Sequence, residues 1–217
     1  MGKGIGNMCA DPILSSVKDT TLIEKRRSQI IKSAITLFKQ KGFHRTTTRE
    51  IAKESGFSIG TLYEYIRTKE DVLFLVYEAI NNHVYKHLRT VIDLKKPSVH
   101  NLTTIIESYY RLMDEMQEEV IILYQEVKSL ETKVKDVVLQ KEREMVLMLK
   151  QAIMTCVPNI LVEEEAELLA NNIFVQGHMW GFRRWMLHKQ FTIDKYIDMQ
   201  IKLLLQTLNK ENKHSAE

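Results

Sequence analysis

In Thr46–Leu73, TTTREIAKESGFSIGTLYEYIRTKEDVL, three helix starts follow one another at close range. Thr47 and Glu50 form a capping box, in which each side chain satisfies a free amide hydrogen of the other, so a short helix begins there and ends at Gly56. Ser58 is a second N-cap candidate, opening a helix of about two turns from Ile59 to Tyr65. Thr68-Lys69-Glu70-Asp71 is a third cap signature, after which Val72, Leu73, Val76, Ile80 and Val84 keep one apolar face towards Leu88. Upstream, Arg27, Ile30, Ile31, Ala34, Ile35 and Phe38 recur at three- and four-residue steps between Glu24 and Lys41, and the pattern stops at Gly42. Two short helices joined by a Gly-containing turn are the helix-turn-helix unit. Its first helix lies across the DNA backbone and its second enters the major groove. The second helix is expected to expose Thr61, Tyr63 and Tyr65, whose hydroxyls suit phosphates and bases, and to turn Leu62 into the core. The plainer alternative is a pair of capped helices within a bundle.

Composition agrees with an all-α chain. Eight Gly and three Pro in 217 residues are too few for the hairpins of a sandwich or strand-rich barrel. Hydrophobic residues at 44% and charged ones at 27% are ordinary for a globular protein and exclude a wholly disordered chain. The net charge of +3 is unevenly placed. Residues 1–71 hold 13 Lys+Arg against 8 Asp+Glu, and the remainder 18 against 20. That asymmetry suits a nucleic-acid-binding head on a neutral body, or simply a solvated basic face. No apolar run approaches the roughly 18 residues of a membrane span, and the N-terminus lacks an apolar signal core. A cytoplasmic protein without membrane attachment is expected. Cys9 and Cys156 stand far apart, which suits a reducing compartment and gives no metal or disulfide framework.

The Thr46–Leu73 string, extended upstream through Ala34, Phe38, Gly42 and Phe43, resembles the DNA-binding head of TetR-family transcriptional regulators over about residues 24–75. Ile66 departs from the family, which usually has an aromatic residue there. By resemblance, Thr47, Ser58, Gly60, Thr61, Tyr63, Tyr65 and Lys69 take DNA roles. Lys69 can neutralise a phosphate, Gly60 allows close approach to a base edge, and Thr61 can meet a thymine methyl. Lys18, Lys25, Arg26 and Arg27, assigned to an unstructured arm, could add phosphate or minor-groove contacts or be solvated charge. The resemblance implies four segments: a flexible arm (1–22), the helix-turn-helix domain (23–68), a helical ligand-binding and dimerisation domain (69–210) and a tail (211–217). It further implies a homodimer on a palindromic double-stranded DNA operator, acting as a repressor that a small apolar effector releases.

The body is expected to change character after Pro97. Eight of ten Met lie beyond residue 112, with both Trp. Helices are marked by Leu102 to Met116, by Leu130 to Ala152, from Glu163 to about His188, and from Thr192 to Leu208, with a short buried segment at Val120–Tyr124. Tyr109, Met113, Tyr124, Met148, Phe174 and Trp180 are the candidate ligand pocket, although a Met stripe also makes plain core. Gly177, Gly181, Ile201 and Leu204 are the candidate dimer interface, the glycines allowing close approach to a partner or access for a ligand. Arg183 and Arg184 could pair a phosphate or complement the helix C-terminus. The run Ile173-Phe174 followed by Trp185 is similar to members that sense fatty acyl-CoA. A multidrug-sensing repressor of an efflux gene and a helical adaptor without DNA binding are the alternatives. His83 and His87 have metal-ligand spacing but no third ligand, and no HExxH, GxSxG, P-loop or GxGxxG occurs. No enzyme activity, catalytic residue, metal or cofactor is expected.

Overall fold

The computed structural model describes Ile13 and residues 15–214. The expectations for Cys9, for most of the arm and for the end of the tail lie outside these residues. The described chain is helical, without strands, and runs α1 (Thr20–Lys41), α2 (Thr48–Glu54), α3 (Ile59–Tyr63), α4 (Lys69–Val91), α5 (Val99–Glu115), α6 (Gln117–Glu126), α7 (Thr132–Cys156), α8 (Glu163–Phe182), α9 (Arg184–Leu187) and α10 (Ile193–His214). It divides into two compact units. One holds the chain up to Ala79 together with Glu126–Asp136, and the other holds Ile80–Gln125 and the chain from Val137 onward.

In the first unit the helices start on side-chain caps. Asp19 accepts from the Leu22 amide at 3.1 Å, Ser58 from Thr61 at 3.0 Å, and the Thr68 hydroxyl from Asp71 at 3.0 Å. Gly42, at φ 79°, ends α1 with its N–H on the Phe38 carbonyl. Gly56, at φ 73°, turns the chain from α2 to α3, a conformation that favours glycine. The core gathers Ile30, Ala34, Phe38, Phe43, Ile51, Ala52, Leu62 and Ile66. At Ile66 the aliphatic side chain fills its place completely and leaves no surface exposed. α1 begins at Thr20, so Lys25, Arg26 and Arg27 belong to a helix and not to an unstructured arm. Arg27 is buried, with Nη2 donating to the Ile13 carbonyl at 2.7 Å.

The second unit is built on α5, which buries Leu102, Ile105, Ile106, Tyr109, Tyr110, Leu112 and Met113 and packs against α8 and α10. A Cβ on Gly177 would come within 2.5 Å of Tyr109 Cε1 and 3.0 Å of Met113 Cγ. The mid-helix glycine, unfavourable by roughly 1 kcal/mol against Ala, is therefore required by packing inside the chain. Tyr109 stacks on Phe174, ring centroids 5.6 Å apart, and donates its hydroxyl to the Phe174 carbonyl at 2.9 Å. The helix expected to run from Glu163 to His188 instead breaks at Arg183, whose N–H closes on Met179 O and whose φ of −106° leaves the helical region. Side chains fix the break: the Trp180 indole donates to Asp114 at 2.6 Å before it, and Arg184 pairs with Glu118 after it. The last helix runs on past Leu208 to His214.

Candidate functional site

The first surface to consider is the outer face of α2 and α3. At the start of α2 the Glu50 carboxylate accepts the Thr47 amide at 2.9 Å, the Thr47 hydroxyl at 2.8 Å and Lys41 Nζ at 2.5 Å. Lys41, with the Thr47 donors, holds this carboxyl down at about 2. Its charge is thus matched within the protein by Lys41. Thr47, Thr48, Arg49, Ile59 and Tyr63 line an open cleft of about 450 Å³. Tyr63 is 49% exposed, its hydroxyl 3.2 Å from Thr48 Oγ1. Ser58 and Thr61 hydroxyls stand 2.9 Å apart at the start of α3, and a Cβ on the exposed Gly60 would meet only Ser58 Oγ, at 3.7 Å.

Two of the sequence-derived residues sit differently. Tyr65, expected on the exposed face, is 3% exposed, because α3 ends at Tyr63 and the turn after Glu64 carries Tyr65 and Ile66 into the core. Lys69 is engaged internally: Nζ donates to the Phe43 and His44 carbonyls at 3.1 and 3.4 Å and lies 4.3 Å from the Phe43 ring centroid. It ties the loop between α1 and α2 to the start of α4. Thr48 and Arg49 escaped the sequence reading. Their signal was position, since residues in the first turn after a cap share the surface with the cap itself. Ser15 and Ser16 dock on the end of α3, both donating to the Glu64 carbonyl.

In the second unit the candidate pocket residues separate. Tyr109 and Met113 are fully buried against Gly177, Trp180 is buried among Asp114, His188 and Tyr196, and Met148 lies in an open groove with Arg89, Ile92, Leu94 and Gln151. Tyr124 and Phe174 alone among the six line a common cavity. It measures about 310 Å³, walled by Tyr124, Leu139, Glu142, Arg143, Val146 and Leu147 from α6 and α7 and by Glu167, Asn171, Phe174, Val175 and His178 from α8. His178 is buried, its Nδ1 3.2 Å from the Tyr124 hydroxyl, and burial depresses its pKa to about 4, so it is neutral at pH 7. Burial raises the Glu142 carboxyl, and burial followed by the Glu142 charge raises the Tyr124 phenol. Lys150, from α7, holds Glu167 at 2.9 Å and Glu163 at 2.9 Å. The α7 lining was missed because Leu139, Glu142, Arg143, Val146 and Leu147 mix apolar and charged residues and read as a solvated helix face.

The candidate interface residues are likewise divided. Gly181 faces the backbone of Gln117, with a Cβ reaching 3.2 Å of its Cα, and Leu204 is buried at 8%. Ile201 is half-buried. Exposed apolar side chains lie beside them, at Leu168, Val175 and Phe182 on α8, Trp185 and Met186 on α9, and Met199 and Leu203 on α10. Arg184 is committed to Glu118, and Arg183 lies 5.8 Å from the Trp185 ring centroid. His87, one of the spaced histidines, bonds Ser108 at 2.9 Å.

Residues 30–76, which contain both short helices and their caps, match the family model of bacterial regulatory proteins, tetR family. That segment carries the DNA-binding domain of the TetR family. It is 27% identical over 198 residues to the HTH-type transcriptional regulator HbdR of Aromatoleum sp. (strain CIB), an alignment covering 91% of this chain and 86% of that one. Among solved structures, a TetR-family regulatory protein from Rhodococcus RHA1 superposes with a TM-score of 0.74 at 20% identity, covering 85% of this chain and 97% of that one. AibR, solved in complex with isovaleryl coenzyme A and operator DNA, superposes with a TM-score of 0.67 at 20% identity, covering 82% and 97%. These likenesses support a TetR-type regulator, and the fold shared with the solved structures is a helix-turn-helix head on a helical body. No helix among the described residues is long and apolar enough to cross a membrane.

Proposed function

We propose that this TetR-family regulator is a cytoplasmic repressor that binds a near-palindromic operator as a homodimer and is released by a small acyl effector, a short acyl-CoA, held in the α6–α7–α8 cavity. The observation that carries the reading is the pairing of an exposed hydroxyl-rich α2–α3 face with a cavity of mixed apolar and polar lining in the body. Thr47, Thr48 and Arg49 are placed to meet phosphates, and Thr61 and Tyr63 to reach the major groove. Gly60 is not needed by internal packing, so its missing side chain is left to serve an approaching base edge. Lys69 acts through the loop it anchors, and Tyr65 supports α3 from below.

Effector size follows from volume. At about 310 Å³ the cavity stands at the low end of the roughly 300–1,000 Å³ range of ligand sites, so it suits a short acyl or aryl group and not a long chain. Arg143, exposed at its wall, offers a charge to a phosphate or carboxylate left outside. Isovaleryl coenzyme A in AibR supports the same ligand class. Head and body are joined covalently by α4 and by the chain on either side of Glu126–Asp136, which folds with the head and leaves the cavity helices at Tyr124 and Leu139. An effector that prefers one arrangement of those helices shifts the DNA-binding equilibrium by its differential affinity. The dimer reading rests on Leu168, Val175 and Phe182, spaced seven apart on α8, with Met199 and Leu203 on α10. Such a stripe suits pairing with its copy.

Binding of the protein to DNA from upstream of its own gene, followed by anisotropy against salt, tests the reading. With about six phosphate contacts the log–log slope is roughly −5, and Tyr63→Ala weakens binding to every sequence. A flat salt dependence would contradict DNA binding by this face.

A further inference from the structure

Every carboxylate and cation around the α6–α7–α8 cavity except two has a partner. Glu167 is clamped by Lys150, Lys141 Nζ donates to Asn82 at 2.9 Å, and the Tyr124 hydroxyl meets His178 Nδ1. Glu142 and Arg143, neighbours on α7, make no hydrogen bond or ion pair among the described residues. Glu142 is half-buried on a wall shared with Tyr124, Val146, Phe174 and His178, where an entering ligand would displace the water that its carboxyl now reaches. Resting on the acyl-effector reading above, we propose that Glu142 is the specificity determinant of the cavity, and that the effector is a short acyl thioester bearing a hydroxyl group that hydrogen-bonds to it.

Two other ligand chemistries fit less well. A purely hydrocarbon acyl group would exclude water from Glu142 and give it nothing in return. A cation would meet Glu142 and the Tyr124 and Phe174 rings, but it would stand beside the Arg143 guanidinium, and burial already raises the Glu142 carboxyl towards its neutral form. A hydroxyl bonds the carboxyl in either protonation state, and the phosphates of the carrier can meet Arg143 outside.

Calorimetric titration of the full-length protein with 3-hydroxybutyryl-CoA, butyryl-CoA, free CoA and the cationic dye rhodamine 6G tests this. The hydroxylated ester is expected to bind at least about tenfold tighter than butyryl-CoA, because a site built to bond a hydroxyl discriminates against its absence. Glu142→Leu, which fills the wall with hydrocarbon, is expected to remove that preference while still binding butyryl-CoA. Glu142→Gln, close in shape and safe for folding, is expected to retain part of it. Equal affinity for the two esters, or a preference that survives Glu142→Leu or is untouched by Glu142→Gln, overturns the assignment of Glu142 and leaves the acyl-CoA reading standing. Binding of the dye with no binding of either ester overturns both.

Discussion

The Tyr124 hydroxyl and His178 Nδ1 meet at 3.2 Å on the wall of the cavity, and burial puts the pKa of that histidine at about 4. The unfolded chain takes up this proton near 6.5 and the folded one only near 4, so the unfolded state binds more protons between these values. Stability is therefore fully present above about pH 6.5 and falls as pH drops towards 4, by about 3 kcal/mol at most. Urea melts at pH 7 and pH 4.5 are expected to differ less for His178→Phe than for wild type, and an equal difference would contradict a buried neutral His178. At this scale the sequence was partly legible. Thr47 with Glu50, Ser58 with Thr61 and Thr68 with Asp71 act within a few residues, and each forms as its spacing predicts. Tyr65 was not legible, because which side of a five-residue helix faces the core depends on where that helix stops.

At the scale of helices, the two kinds of glycine make contrasting predictions. Gly177→Ala drives a Cβ into Tyr109 and Met113, both fully buried and unable to swing aside, so overpacking of about 1–3 kcal/mol outweighs the helix-propensity gain of about 1. Gly60→Ala meets nothing closer than 3.7 Å. It is expected to hold or raise the melting temperature while weakening DNA binding, and Gly177→Ala to lower the melting temperature. Thermal melts alongside anisotropy check both, and a Gly177→Ala variant more stable than wild type would contradict the close α5–α8 packing. The apolar periods of α1, α4, α5, α7 and α10 were readable because each buries one long face. The break at Arg183 was not, since Asp114 and Glu118, which hold its two sides, lie far away in sequence. The cavity was hidden for the same reason: it arises where α6, α7 and α8 leave space, and no single helix records that.

At the scale of the whole molecule, the proposed pairing through the exposed stripe separates neighbouring leucines. Leu203 is 57% exposed and Leu204 is 8% exposed. Leu203→Asp is expected to give a folded monomer, and Leu204→Asp to lose the fold, because an unpaired carboxylate buried in the core costs several kcal/mol. Sedimentation velocity with circular dichroism distinguishes them, and a dimer that persists in Leu203→Asp would move the interface elsewhere. One titration reaches the assembly, the cavity and the DNA face together: wild-type protein bound to a labelled fragment of its own upstream DNA, with short acyl-CoAs added while anisotropy and Trp fluorescence are followed together. The account predicts saturable release of DNA that coincides with the fluorescence change. DNA that stays bound while the acyl-CoA demonstrably occupies the protein would contradict it.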